Sequence, residues 1–464
     1  MGRKRFIGFC FVALILLPHI SSAAEWSAWQ QQKTVVVHET AGIDRVHEPV
    51  ECEVQFYQTI SNGDPSTVED DIKRELRLLL LGPDGTMTEI SSQAFDIRRS
   101  TPRRELSSIE NMPEDKVFIR MRIAFFVDVK AFETVRFRVL LDNPDATQPK
   151  YSSGLAVSGG GVGYTVDNGY YKIQTEEKSG QINQIDLKFA TKPTFTNPYG
   201  TLHWNPDFIV APDDFPTTGY VWRYASHFEN PDTEIESGPV FFSIRRKQLI
   251  PGQDTVYMDV YYRFYDGLPY FIMESYSEAK KRTKTFAIRN DELSFSQKDF
   301  NSAFWRIKTP DMMENHDGEV GSTVIYHDAR VGDHVLGSAL PPNIAWISFA
   351  HMDNQYGVGS IRLDWKNVNT LTDNPSPLYN SHTVISQHGG LVYWFRSLVY
   401  SYRIIEGVDT DTIRSRLIDI PEGSSYYEKN AYLMYEFDSE DKYVPVDDLW
   451  RKLRKPCSVI VLSE

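Results

Sequence analysis

The 464-residue chain carries 63 acidic against 49 basic side chains, a formal net charge of -14. That balance makes it a poor electrostatic partner for nucleic acid, while a local basic cleft for an anionic substrate stays compatible with it. After the N-terminus no segment is apolar and long enough to cross a membrane as a helix.

Arg3, Lys4 and Arg5 precede a short apolar run, Phe6 to Pro18, and Ser22-Ala23-Ala24 supplies small residues for cleavage. This is the pattern of a secretory signal peptide over residues 1–24, preferred over a retained anchor, and it implies a secreted or periplasmic protein. Cys10 would leave with the leader. Cys52 and Cys457 could pair in an oxidising compartment or stay as two buried thiols, since sequence does not report their separation.

The remaining roughly 440 residues suggest two or three domains. Alternating or continuous apolar runs come first: TVVVHETAGIDRVHEPVECEVQF from Thr34, LRLLLLGPDG from Leu76, VFIRMRIAFFVDV from Val117 and TVRFRVLL from Thr134. They predict strands of a small β-barrel or sandwich over residues 25–150, with a helix over 66–76 and a turn at Gly82–Gly85. DNPDATQPKYSSG, from Asp142, then marks a boundary near residues 142–160. Gly159, Gly160, Gly161 and Gly163 follow it, and because VDNGYYKIQT after them reads as a strand, a β-turn or linker is preferred to a phosphate loop. Further strands with a turn at Pro251–Asp254 lead to PVDDLWRKLRKP, whose early acids, late bases and closing proline predict a C-terminal helix. No fixed-period repeat suggests a solenoid or propeller.

The segment ETAGIDRVHEPV, Glu39 to Val50, resembles the opening strand-turn-strand of the RIFT-barrel domain in YetA-like proteins, which include rhamnogalacturonan exolyases. VDNGYYKIQTEEKSGQINQIDL, from Val166, is similar to the first hairpin of galactose-mutarotase-like β-supersandwich domains. Together the two motifs cover about a tenth of the chain. The resemblance implies a mostly β protein: a small N-terminal β-barrel or sandwich, then a large antiparallel β-supersandwich over residues 151–464 with its C-terminal helix. It also implies a polysaccharide or oligosaccharide substrate. The lyase relatives carry a large helical toroid for which this chain has no room, so their catalytic assignments are not carried over.

The tract from His203 to Glu292 carries the chemistry. HWNPD, GYVWRYASHFENP, DGLPYFIMES and AIRNDE mix indoles and phenols with His, Arg, Asn, Asp and Glu, the combination a sugar cleft needs for pyranose C–H faces and hydroxyls. A polysaccharide lyase acting on a uronate-containing glycan by β-elimination would draw its base from His203 or His227 and its acid from Tyr220 or Tyr224. Arg223 or Arg289 would offset the carboxylate. Trp204, Asn205, Asp207, Trp222, Asn290, Glu292 and His388 would line the substrate. Arg223 and Tyr224 are neighbours and point to opposite faces of any strand. A glycoside hydrolase would instead need two carboxyl groups among Asp207, Glu229, Glu274, Asp291 and Glu292. A non-catalytic glycan-binding protein would need only stacking on Trp204, Trp222 and Tyr270. Against all three, each aromatic of DGLPYFIMES could simply fill a sandwich core.

His316-Asp317, His327-Asp328, Asp333-His334 and His351 with Asp353 form a second cluster. Its spacings match no zinc pattern, and polar loops are the preferred reading; calcium or another divalent ion is compatible with it, and no cofactor is predicted. His382 and His388 flank a hydrophobic strand, where a structural histidine competes with a ligand-facing one.

Overall fold

The computed structural model describes residues 20–21, 26–59, 65–99, 116–188, 194–196, 202, 205–211, 221–251, 254–296, 298–307, 320–324, 334–335, 344–379, 381–388, 391–400, 415–438 and 440–462. The fold is mostly β and antiparallel, with two α-helices among the described residues. None of the described helices is long and apolar enough to cross a membrane. The chain divides into a unit of residues 1–150 with 457–464, and a unit of residues 151–456. The expected leader lies almost wholly outside the described residues.

In the first unit, Gln31–His38 pairs on one side with Thr134–Leu141 and on the other with the last strand, Ser458–Leu462. Residues 457–464 therefore belong to this unit, not to the 151–464 span expected from sequence. The reason is a ladder of long-range backbone hydrogen bonds that no local pattern announces. A three-stranded sheet centred on Lys116–Val129 completes the unit, and Val35, Val37, Phe56, Ile123, Phe125 and Val139 fill its core. Helix Val68–Glu75 packs there through Val68 and Ile72. Cys52 and Cys457 share this core as free, buried thiols, and burial pushes Cys52 up to about 12. The Gly82–Gly85 turn closes as read, with Gly85 at φ +81° donating its N–H to the Gly82 carbonyl at 3.0 Å.

Among the described residues the second unit contains three sheets. Nine strands run in the order Asp232–Ser237, Phe241–Leu249, Val256–Tyr265, Tyr270–Ala279, Ser424–Glu436, Tyr356–Asn369, Ile344–His351, Ser302–Ile307 and Val320–Val324. A seven-stranded sheet is built around Thr283–Ser296, which pairs with Asp207–Ala211 and Leu391–Tyr400; Asp207–Ala211 pairs in turn with Val221–Tyr224. A five-stranded sheet holds the hairpin Tyr171–Thr175 and Ile182–Leu187, and the glycine stretch forms the neighbouring hairpin, Ala156–Gly160 with Gly163–Asp167. One continuous core takes side chains from all three sheets, among them Val166, Ile173, Phe208, Ile288, Phe271, Phe349 and Trp394. Tyr270, Phe271, Ile272 and Met273 are all buried, so the apolar part of DGLPYFIMES packs inside. Helix Val444–Arg454 is pinned by Asp447, whose carboxylate accepts from Arg306 Nε at 2.6 Å and Trp346 Nε1 at 2.9 Å.

Candidate functional site

Strand Val221–Tyr224 ends in a single 3-10 turn, Ala225–His227. Arg223 stands opposite Phe208 and Tyr224 opposite Asp207, so the two neighbours do face opposite ways at the ladder. The turn then brings His227 back against Tyr224, with ring centroids 4.7 Å apart.

Arg223, Ser226, His227 and Glu229 line one wall of a cleft of about 860 Å³. Gln174, Glu176, Glu177, Lys178 and Asn183, from the hairpin of the five-stranded sheet, line another. Desolvation, and then the positive charge of Arg223, lower the His227 pKa below its ordinary value. The shift favours the neutral imidazole, the form that accepts a proton. Arg223 keeps its charge although burial lowers its pKa. The Asn183 side-chain oxygen is buried without a hydrogen-bond partner among the described residues. The cleft can thus hold a polar ligand, offset one negative charge and take up one proton. Its glutamates keep it from being uniformly basic.

Behind Tyr224 lies a second group of ionisable residues. Asp207 stands opposite both Tyr224 and Arg289, and accepts from Arg289 Nε at 2.8 Å and from Nη2. Glu292 also feels the Arg289 charge, yet burial pushes its carboxyl up to about 8. Neither of its oxygens has a hydrogen-bond partner among the described residues. A buried carboxyl in this state holds its proton at neutral pH.

A bulge sorts AIRNDE between the two faces of the sheet. The ladder with Leu391–Tyr400 shifts register between Asn290 and Leu293, and Asp291 takes φ +52°. Arg289 sits on the face of Asp207, whereas Ile288, Leu293 and Phe295 join the main core. Asp291 turns inward: its carboxylate accepts from Ser360 Oγ at 2.7 Å, Tyr432 OH at 2.7 Å and Arg396 Nη2 at 3.1 Å. Asn205 closes the network, donating Nδ2–H to Tyr432 OH at 2.9 Å and accepting the Asp291 N–H at 3.1 Å. Glu428 forms ion pairs with Arg396 Nε at 2.8 Å and Arg362 Nε at 2.9 Å. Asn290, opposite Arg396, is fully buried.

The expected site residues therefore separate. Arg223 and His227 share the cleft; Tyr224, Asp207, Arg289 and Glu292 form the group behind it; Asn205, Asn290 and Asp291 are buried structural polar groups. Trp222 stands opposite Ile209 and His388 opposite Leu391 in their ladders. His203, Trp204 and Tyr220 lie outside the described residues, as do His316, Asp317, His327, Asp328 and Asp333. His351 ends a strand, stacks on Tyr356 and accepts the Asn354 N–H at 3.3 Å, while Asp353 is exposed in the following turn. No three His, Cys, Asp or Glu side chains among the described residues come together as a metal would require. Sequence reasoning did not single out Lys178 and Asn183, which reach the cleft from a distant hairpin. It also passed over Arg396, although a lone charge inside LVYWFRSLVY was a signal that could have been read.

No protein-family profile and no curated protein matches this sequence. Among solved structures, the fold is similar to a protein in glycosyl hydrolase family 38 from Enterococcus faecalis, with a TM-score of 0.51 at 10% identity, covering 94% of this chain and 48% of that one. It is equally similar to an α-mannosidase from Enterococcus faecalis V583, with a TM-score of 0.51 at 12% identity, covering 94% and 47%. The chain thus spans about half the length of both. A galactose mutarotase-like protein from Lactobacillus casei ATCC 334 matches at a TM-score of 0.35 and 11% identity, covering 59% of this chain and all of that one. At these identities the likeness is one of fold.

Proposed function

We propose that the protein is a secreted or periplasmic enzyme that cleaves a uronate-containing glycan by β-elimination in the cleft at Arg223 and His227. The observation that carries this reading is the meeting of the Arg223 guanidinium and the His227 imidazole in one cleft. Arg223 offsets the uronate carboxylate and so acidifies the neighbouring C5–H. His227 takes the C5 proton; the C5–H electron pair forms the C4=C5 double bond, and the C4–O bond breaks. The departing oxygen takes its proton from the His227 imidazolium so formed or from water; Tyr224 packs on His227 but is not among the residues lining the cleft. The leader-like N-terminus and the resemblance to YetA-like proteins support the compartment and the substrate class.

A hydrolytic reading rests on a different observation. Glu292 and Asp207 are two buried carboxyl groups gathered around Arg289, and burial raises both; a hydrolase needs such a pair at the scissile bond. The two fold neighbours described as a family 38 glycosyl hydrolase and an α-mannosidase lend it support.

The test is ultraviolet absorbance and reducing-end release on a panel of uronate and neutral glycans, with and without calcium and chelator. A rise in the unsaturated-uronate band that disappears in His227→Ala and Arg223→Gln supports β-elimination. New reducing ends without that band, lost in Glu292→Gln, move the assignment to hydrolysis. Neither signal on any glycan removes both reactions.

A further inference from the structure

In the first unit the outer face of the sheet is open where the last strand joins it. Ser458–Leu462, Gln31–His38 and Thr134–Leu141 lie side by side, with Val35, Val37, Phe137, Val139, Val459 and Val461 packed into the core. By alternation the opposite face carries the rows Leu462–Thr34–Arg138 and Ile460–Val36–Arg136, then Ser458–His38–Thr134. Ile460 is 52% and Leu462 46% exposed. The three strands contain no Asp or Glu, and the Arg138 Nε is buried without a hydrogen-bond partner among the described residues. On a chain of net charge -14 this face is apolar and basic.

Beside it stands a tip made of two loops, residues 39–47 and 130–133, whose amides are held by carboxylates. Glu39 accepts the N–H groups of Gly42 at 2.7 Å, Ala41 at 3.0 Å and Phe132 at 3.3 Å. Asp44 accepts that of Ala131 at 2.9 Å, and Asp128 that of His47 at 2.7 Å. Phe132 at φ +60° and His47 at φ +53° are fixed in left-handed backbone, strain of the kind that clusters at functional surfaces. The loops thereby hold Val46, 72% exposed, and Phe132, 69% exposed, out in water. Exposed Asp44, Asp128 and Glu133 flank them against Lys130, so the tip is apolar and acidic. Tip and face adjoin: His38 Nδ1 lies 2.9 Å from Thr134 Oγ1 and 3.2 Å from the Glu133 carbonyl oxygen.

We infer that the protein forms a dimer through its first unit, the acidic tip of one copy seated on the basic face of the other. Phe132 and Val46 would then cover Ile460 and Leu462, with Asp44, Asp128 and Glu133 near Arg136 and Arg138. The two patches are complementary in charge and both contain apolar side chains; because they adjoin, one two-fold axis makes the contact twice and closes it. The face carries no Trp, Tyr or Phe, which suits a protein partner better than a sugar. The inference is independent of the cleft and of the reaction proposed there.

Sedimentation velocity of the whole chain, over a range of protein and salt concentrations, tests it. The unmodified protein is a dimer that dissociates more readily as salt rises. Phe132→Glu and Ile460→Glu each weaken it at least about tenfold, the effect of losing one buried anchor. Both side chains are exposed, so the variants keep the fold, which circular dichroism checks; Leu371→Glu, also exposed but in the second unit, leaves the dimer intact. An equimolar mixture of Phe132→Glu and Ile460→Glu associates more tightly than either variant alone, because the intact tip of one meets the intact face of the other. A mixture no better than its components overturns the tip-to-face contact. So does a monomer at every concentration, a dimer indifferent to both substitutions, or a monomer that instead sediments with phosphatidylserine vesicles through Ile460.

Discussion

The imidazole of His227 packs against the phenol ring of Tyr224 with centroids 4.7 Å apart and planes tilted by 52°. This contact joins the two halves of the site. His227 belongs to the cleft, and Tyr224 stands opposite Asp207, which holds Arg289.

If His227 is the base, His227→Ala lowers the rate by about 10²–10⁴-fold, the usual share of one positioned proton acceptor. Arg223 lowers the His227 pKa, so removing its charge raises it. In Arg223→Gln the imidazole titrates at higher pH, and the acid limb of the pH–rate profile moves up with it. Proton NMR titration of His227 in the two proteins checks this without substrate; identical titrations contradict the electrostatic coupling.

Glu292→Gln makes the protein more stable at alkaline pH. The folded carboxyl titrates at about 8 against 4.5 for its ordinary value, so between those limits the folded state keeps a proton that the unfolded chain has released. Stability therefore falls as pH rises through that window, by at most a few kcal/mol in all. The amide removes this dependence. Its advantage in melting temperature is small near pH 4 and largest at pH 8 and above; an advantage that shrinks with pH would show that Glu292 is ionised in the folded protein.

Asp291→Ala destabilises the second unit by about 3 kcal/mol, because it leaves the buried Ser360 and Tyr432 hydroxyls without their acceptor and the Arg396 guanidinium with Glu428 alone. Chemical denaturation measures the loss. Tyr432→Phe costs less, about 1–3 kcal/mol, since it deletes the hydrogen bond to the carboxylate and the one accepted from Asn205 but leaves the ion pair in place.

Cys52 and Cys457 resist a thiol reagent in the native protein and both react once it is unfolded. Burial raises both thiols and so suppresses the thiolate that attacks. If neither reacts in denaturant until a reductant is added, the two are joined as a disulfide.

The β character of the chain was legible because period-two alternation is local: Arg45–Thr59 and Val256–Tyr265 each show it within a single strand. Both helices were legible for a similar reason, the C-terminal one from its charge order and bounding prolines. Parts of the site were legible too. Arg223 and His227 could be named from their setting among aromatics, and the opposed directions of Arg223 and Tyr224 followed from alternation alone.

What alternation could not resolve is where its phase changes. The bulge at Asp291 lets four consecutive polar residues, Arg289 to Glu292, serve two faces, and nothing in the string RNDE states that the register slips there. Sequence alone determined that the chain is a β protein carrying an aromatic-polar tract between His203 and Glu292. The tertiary structure decided that Asp291 binds the sandwich together while Arg289 meets Asp207, that Lys178 and Asn183 join Arg223 and His227 at one cleft, and that the last strand returns to the first unit. The reason is physical: side-chain periodicity is set between neighbours along the chain, whereas bulges, cross-strand partners and clefts are set by hydrogen bonds and packing between residues far apart in sequence.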